Sequence, residues 1–355
     1  MGKDIKTYQE QTYIDNTLRL RDVLNTMPPF VKDYFRAIEP TTSARTRISY
    51  AYDIRVFFRF LIANNPVYKD YTLDMFELKD LEQIEPVDIE EYQEYLKVYQ
   101  SNDKHITNKE QGLSRKMSAL RSFYAYYFKR QAIQKNPTLF VDMPKIHDKA
   151  IIRLDIDEVA MLLDYVEECG DKLTGQRKVY YEKNKSRDLA ILTLLLGTGI
   201  RVSECVGLDL QDVDFKNNGI KVTRKGGSEM VVYFGEEVRN ALLNYMEGPR
   251  ASATPLPDHE NALFLSTQRK RIGVQAVENM VKKYARDVTP NKKITPHKLR
   301  STYGTTLYKE TGDIYLVADV LGHKDVNTTK KHYAAIGDDR RRQAASAVKL
   351  RESLE

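Results

Sequence analysis

Six residues in the C-terminal half are of the types that bind anions, move protons or act as nucleophiles, and they fall in compact local patterns. Arg201 follows an almost wholly apolar run, within Gly199-Ile200-Arg201-Val202-Ser203-Glu204. Lys225 lies in Arg224-Lys225-Gly226-Gly227-Ser228, which is turn chemistry between two segments of alternating apolar residues. His297-Lys298-Leu299-Arg300 puts His297 and Arg300 on one face of a helix. Leu321-Gly322-His323 is followed ten residues later by Tyr333. Guanidinium and ammonium groups bind phosphates and carboxylates. Imidazoles exchange protons near neutral pH, and a phenol can attack as a nucleophile. Taken singly, each pattern has an ordinary explanation: a surface salt bridge, a solvated turn lysine, a satisfied polar histidine, one packing residue among 23 tyrosines. The order and spacing are what lift the set.

The elements that would hold these residues can be read from periodicity. In the second half, a helix is predicted over Ile156 to Glu168 and a buried one from Arg187 to Leu196, with Gly197 as its stop. Gly219 to Thr223 and Glu229 to Phe234 read as two strands, and the rest from Glu236 onward as mostly helical. The first half reads as helical. Leu20, Leu24 and Met27 keep i, i+4, i+7 spacing before Pro28-Pro29, and Tyr50, Ile54, Phe57, Phe58 and Leu61 form an apolar stripe. Thr107 and Glu110 match a capping box opening a helix whose Leu113, Met117, Leu120, Tyr124 and Tyr127 face a core. On that helix Arg115, Ser118, Ser122 and Lys129 mark another face, suited to phosphate contacts as readily as to solvent. Residues 135–149, with Pro137 and Pro144, read as a linker between a domain spanning 1–134 and a second spanning 150–337. No internal repeat is visible, and the Gly-Gly turn is too short for a nucleotide-binding loop.

A chain of 355 residues fits two domains, and 30% charged against 41% hydrophobic residues is a globular balance. No apolar run is long enough to cross a membrane, and MGKDIKTYQEQTY lacks the apolar stretch of a secretory signal. The only cysteines, Cys169 and Cys205, exclude a disulfide scaffold and a cysteine-built zinc site, and fit a reducing cytoplasm. Lysine plus arginine exceed acidic residues by only 56 to 50, but the charge is unevenly spread. The first 100 residues are acidic overall, whereas Lys104 to Lys149 and Arg269 to Arg300 are strongly basic. Two basic segments in separate halves look like the footprint of a polyanion.

The order Arg201, Lys225, His297-x-x-Arg300, Leu321-Gly322-His323, Tyr333 resembles the catalytic signature of the tyrosine recombinases, or phage-integrase family, and most closely its Xer-like branch. That resemblance covers essentially the whole chain. It implies a mainly α, two-domain protein: a helical-bundle, SAM-like core-binding domain, then an α+β catalytic domain with a small antiparallel sheet. It also implies a site-specific recombinase that cuts and rejoins DNA strands, as in chromosome or plasmid dimer resolution, chromosome segregation, or mobile-element integration and excision. In the implied roles, Arg201 and Arg300 clamp the scissile phosphate, His297 and His323 donate further hydrogen bonds, and Lys225 protonates the leaving 5′-oxygen. Tyr333 attacks phosphorus to give a 3′-phosphotyrosyl link, and Glu204 supports a neighbour. Because the link keeps the bond energy, no metal, ATP or other cofactor is implied. The implied partners are double-stranded DNA with an inverted-repeat site and further copies of the chain, as a tetramer in the synaptic complex.

Two departures from the family pattern stand out. The tyrosine usually follows the Leu-Gly-His histidine by nine residues; that slot is His332 here, and one extra residue in the preceding loop would absorb the shift to Tyr333. Ser301 stands where many members carry histidine. Beyond Asp338, Arg340, Arg341 and Arg342 precede a short tail helix with Ala347, Leu350 and Leu354 on one stripe, which the resemblance would dock on a neighbouring protomer. Two competing functions remain in view. One is a DNA-binding protein on this scaffold that no longer cuts, and the other is a type IB topoisomerase, which would relax supercoils without a target site.

Overall fold

The computed structural model describes residues 7–101, 103–147, 152–224, 227–323 and 326. The chain divides into two compact units, Met1–Lys149 and Ala150–Glu355. It is mainly helical, with one two-stranded and one three-stranded antiparallel sheet among the described residues.

The first unit opens with α1 (Tyr8–Leu24), whose start is a reciprocal cap: Thr7 Oγ1 accepts from the Glu10 amide, and the Glu10 carboxylate accepts from the Thr7 amide at 2.8 Å. Leu20, Leu24 and Met27 are buried, Met27 just past the helix end. After α2 (Val31–Ala37), the long α3 (Ala44–Asn64) buries Ile54, Phe57, Phe58 and Leu61. Then come α4 (Asp80–Gln83), α5 (Pro86–Tyr95), the hairpin β1 (Val98–Ser101) and β2 (Lys104–Thr107), and α6 (Glu110–Lys129). The predicted capping box does not form. Thr107 ends β2, paired with Val98, and Glu110 is the first helical residue behind an uncapping Lys109. The Glu110 carboxylate instead takes the His147 ring at 2.9 Å. Aromatic rings fill the core, with Tyr34 edge-on to Phe123 at 5.3 Å and Phe57 to Tyr92 at 5.0 Å. Buried tyrosine hydroxyls donate to backbone carbonyls of other elements, Tyr92 to Asp53 and Tyr127 to Phe30. Within the segment expected as a linker, Asn136, Thr138 and Val141 are buried, and Val141 joins this core.

The second unit begins with α7 (Ile156–Glu168) and α8 (Gly175–Thr198). Helix α8 opens well before the expected Arg187, because its first turns are polar and exposed and carry no apolar stripe. Its stop is also later. Gly197 lies inside the helix, where a Cβ would meet Val238 Cγ2 at 2.5 Å, so glycine there serves packing. The helix ends at Gly199, in the left-handed region at φ 62°. A short α9 (Val202–Gly207) leads into β3 (Val213–Asp214), β4 (Gly219–Thr223) and β5 (Glu229–Tyr233), in sheet order β3-β4-β5. Strand β3 was too short to show as a pattern. β4 and β5 pair in register, Ile220 opposite Val232 and Thr223 opposite Glu229. Among the described residues four further helices follow: α10 (Glu236–Tyr245), α11 (Val274–Val288), α12 (Pro296–Thr311) and α13 (Ile314–Leu321). Pro296 opens α12, where a missing amide costs nothing. Asp313 caps α13 by accepting from Tyr315 and Leu316. No helix of the described residues is long and apolar enough to cross a membrane.

Candidate active site

Three helix ends meet in the second unit: the C-terminus of α8, the N-terminus of α9 and the C-terminus of α13. Gly199 closes α8, and its left-handed conformation is not the only demand for glycine. A Cβ there would lie 2.4 Å from the Tyr303 ring of α12 and 3.0 Å from Leu321 of α13. The reversal after Gly199 puts Arg201 at the N-cap of α9. Its amide donates to Glu204 Oε2 at 2.8 Å, and its Nη1 to Glu204 Oε1 at 2.8 Å. The Glu204 carboxylate is 3% exposed, while the Arg201 side chain is 34% exposed, so a buried anion holds a cation at the surface.

Helix α13 ends in a Schellman motif. The Gly322 amide donates to Asp319 and the His323 amide to Ala318, with Gly322 at φ 60°. The carbonyls that this motif does not take are met by arginines. Arg224 Nη2 donates to Val320 at 2.8 Å and its Nη1 to Leu321 at 3.0 Å. Arg300 Nη2 also donates to the Leu321 carbonyl, and its Nη1 to that of Gly199 at 2.5 Å. Arg201 Nη2 reaches the Gly322 carbonyl at 3.3 Å. The last carbonyls of a helix carry the negative end of its dipole, so guanidiniums there satisfy both charge and hydrogen bonding.

Arg201, Glu204, Arg300 and the backbone leading into His323 are therefore brought together. His297 lies in the first turn of α12, exposed, one turn before the buried Arg300, and His323 is half-buried. Lys225 and Tyr333 lie outside the described residues, as do Arg340, Arg341, Arg342, Ala347, Leu350 and Leu354 of the tail. Arg224, the residue before Lys225, was read as part of a turn; it is buried, with Nη1 3.5 Å from Glu204 Oε2. The signal for it was the strand period. Ile220, Val222 and Arg224 alternate along one face, so Arg224 points the way the two apolar residues do. Burial pulls the Arg224 guanidinium below its ordinary pKa, opposed by Glu204 and reinforced by Arg201. Next to Glu204, burial pushes the Cys205 thiol far up, with the carboxylate adding to it.

On α6 of the first unit, Arg115 and Lys129 are exposed, whereas Ser118 and Ser122 are half-buried and already bonded. Ser118 Oγ donates to the Ser114 carbonyl at 2.8 Å, and Ser122 Oγ accepts from the Tyr34 hydroxyl at 2.9 Å. Arg115 pairs with Asp53 on α3, whose other oxygen takes Lys116 Nζ at 2.8 Å. Lys116, buried, gave no sequence signal of its own, since it sits between the stripe and the basic face.

A model of the phage integrase family matches residues 153–340. The tyrosine recombinase XerS of Streptococcus thermophilus is 33% identical over 351 residues, 91% of this chain and 96% of that one. The tyrosine recombinase XerC of Caldanaerobacter subterraneus is 33% identical over 329 residues, 90% of this chain and 86% of that one. A solved structure of the Tn1549 transposon integrase with circular intermediate DNA shares the fold at TM-score 0.63 and 20% identity, over 88% of this chain and 97% of that one. With matches of this length on both sequence and fold, the chain belongs to the phage integrase family, the tyrosine recombinases, enzymes that cleave and rejoin DNA in site-specific recombination.

Proposed function

We propose that Arg201 and Arg300 hold the non-bridging oxygens of the scissile phosphate, with His297 and His323 donating to the same group. Tyr333 Oη gives its proton to one of these histidines and attacks phosphorus, the bond to the 5′-oxygen breaks, and Lys225 gives that oxygen its proton. The product is a 3′-phosphotyrosyl link and a free 5′-hydroxyl; reversal by a second 5′-hydroxyl rejoins the strand. Phosphoryl transfer of this kind is mainly positioning and charge neutralisation, so no metal or nucleotide enters, and chelators should leave it intact. What carries the reading is the convergence of Arg201, Glu204, Arg300 and the approach to His323 on three helix ends. Glu204 acts through Arg201 and touches no substrate.

The proposed substrate is a double-stranded inverted-repeat site bound by two or more copies of the chain, four in the synapse, within the cytoplasm. Arg115 and Lys129 are the first unit's proposed phosphate contacts; Ser118 and Ser122 contribute through whatever bonding their internal partners leave. The biological event is chromosome or plasmid dimer resolution, or mobile-element integration and excision.

The test is covalent trapping of the full-length chain on nicked duplex fragments of its source genome. Recovery of one sequence class linked through Tyr333 is the expected result. Adducts spread over unrelated sequences, with relaxation of plasmids lacking any site, would mean topoisomerase activity. Binding without adduct would mean a silent DNA-binding protein.

A further inference from the structure

Arg224 occupies the root of the β4–β5 hairpin, and its backbone and side chain do different things there. The backbone closes the turn: its amide donates to Ser228 at 2.7 Å, and its carbonyl accepts from Gly227 at 3.0 Å. The side chain leaves the sheet. It binds the Val320 and Leu321 carbonyls, stands 3.5 Å from Glu204, and lays Nε against Met230 Sδ at 2.8 Å. One residue thereby ties the hairpin to the carbonyls two and three residues before His323, and to the carboxylate that holds Arg201. The fit is tight: a Cβ on Gly322 would come within 2.8 Å of Arg224 Cζ. A planar fork is required, because a single ammonium cannot meet two carbonyls and a carboxylate in those directions.

We propose that Arg224 is a positioning residue for strand cleavage, which sets where Lys225 is presented by locking the hairpin root to the end of α13. This rests on the recombinase reading above, in which Lys225 is the general acid. A general acid must sit within hydrogen-bond reach of the oxygen it protonates, and a displacement of about 1 Å costs on the order of 10²-fold. Loss of Arg224 should therefore look chemically like loss of the acid, and unlike loss of the phosphate clamp.

The experiment measures single-turnover cleavage by the full-length chain on a nicked duplex carrying its trapped site. The duplex is made once with the normal phosphodiester and once with sulfur as the 5′-bridging atom, a leaving group that needs no proton. Arg224→Lys should slow cleavage of the oxygen substrate at least about tenfold and that of the sulfur substrate less than about threefold. Lys225→Ala should share this selectivity, whereas Arg201→Ala should slow both substrates alike. Rates are taken per DNA-bound complex, so partial unfolding does not imitate slow chemistry. Arg224→Gln, which keeps two donors, serves as the second variant and should show the same selectivity. Equal slowing of both substrates, or an unchanged oxygen rate, would overturn the positioning role. A wild-type chain that forms no adduct on either duplex defeats the recombinase reading itself.

Discussion

Glu204 divides one carboxylate among Arg201 and Arg224, and it does so almost out of contact with water. Removing one partner of a buried ion pair leaves the others uncompensated, typically at about 3–5 kcal/mol. Glu204→Ala should therefore destabilise the second unit by about 3 kcal/mol, checked by thermal melting, and should also slow cleavage, because Arg201 loses its orientation. Glu204→Gln keeps the shape, and should lose less stability than activity. At the two arginines, Arg201→Ala or Arg300→Ala should lower the cleavage rate about 10²–10³-fold, the scale of losing one donor to a developing oxyanion. Tyr333→Phe removes only the oxygen of the proposed nucleophile, so gel-shift affinity should persist while the covalent band on a denaturing gel disappears. Persistence of that band, attached through His332 or another tyrosine, would show the register to be wrong.

Elements explain why glycine stands at three positions along α8 and its cap for different reasons. Gly175 has φ 58° with nothing near a prospective Cβ, so Gly175→Ala should cost only about 1 kcal/mol of left-handed strain. Gly199→Ala adds contact at 2.4 Å with Tyr303 and should cost several times more, moving Arg201 as well. Gly197→Ala is strain-free in φ yet meets Val238 at 2.5 Å, so its cost depends on α10 yielding. Paired melts of the three variants would rank them in the order Gly175, Gly197, Gly199. The same positions mark how far the sequence could be read. Helix α7 and the strands β4 and β5 were legible because their periods are long or clean, and the motif residues because their order is unusual. The end of α8 was misplaced by two residues because two glycines stand there, and only tertiary contacts decide which one reverses the chain. Thr107 satisfied a local capping rule that strand pairing overrode. Arg224 was hidden by its setting: beside lysine and two glycines, its letter reads as solvent, although its strand register pointed inward.

At the scale of the whole molecule, the first unit depends on neutral phenols. Burial pushes Tyr34 up to about 12, and Tyr92 and Tyr124 far above their ordinary value. A phenol whose folded pKa exceeds its unfolded value near 10 favours the fold at lower pH. That stability is fully present below about pH 10 and is lost as pH rises toward 12. Circular dichroism across pH 8–12 should show helix loss beginning near pH 10, together with a rise in tyrosinate absorbance. DNA affinity should fall with salt by roughly 0.9 log units per log unit for each phosphate neutralised, and Lys129→Ala should reduce that slope by about one contact. Deleting residues 343–355 should spare binding to a one-arm site and weaken cooperative binding to a two-arm site; equal loss on both would place the tail in its own unit's fold.

The anchorage of Arg224 and Arg300 has an informational consequence. Arg224 grips the main-chain oxygens of residues 320 and 321 and Arg300 that of 321, and any amino acid in that conformation supplies the same acceptor. The letters at 320 and 321 are then free to change as apolar packing allows, without a compensating change at 224 or 300. Pairs found by correlated substitution would miss these contacts, because co-variation needs side chains on both ends. Chemistry on the backbone itself is the way to see them. Glycolic acid built in at position 322 would turn the Leu321 carbonyl into an ester, a poorer acceptor, and weaken both grips with every side chain left in place, at the cost of the Gly322 amide's bond to Asp319.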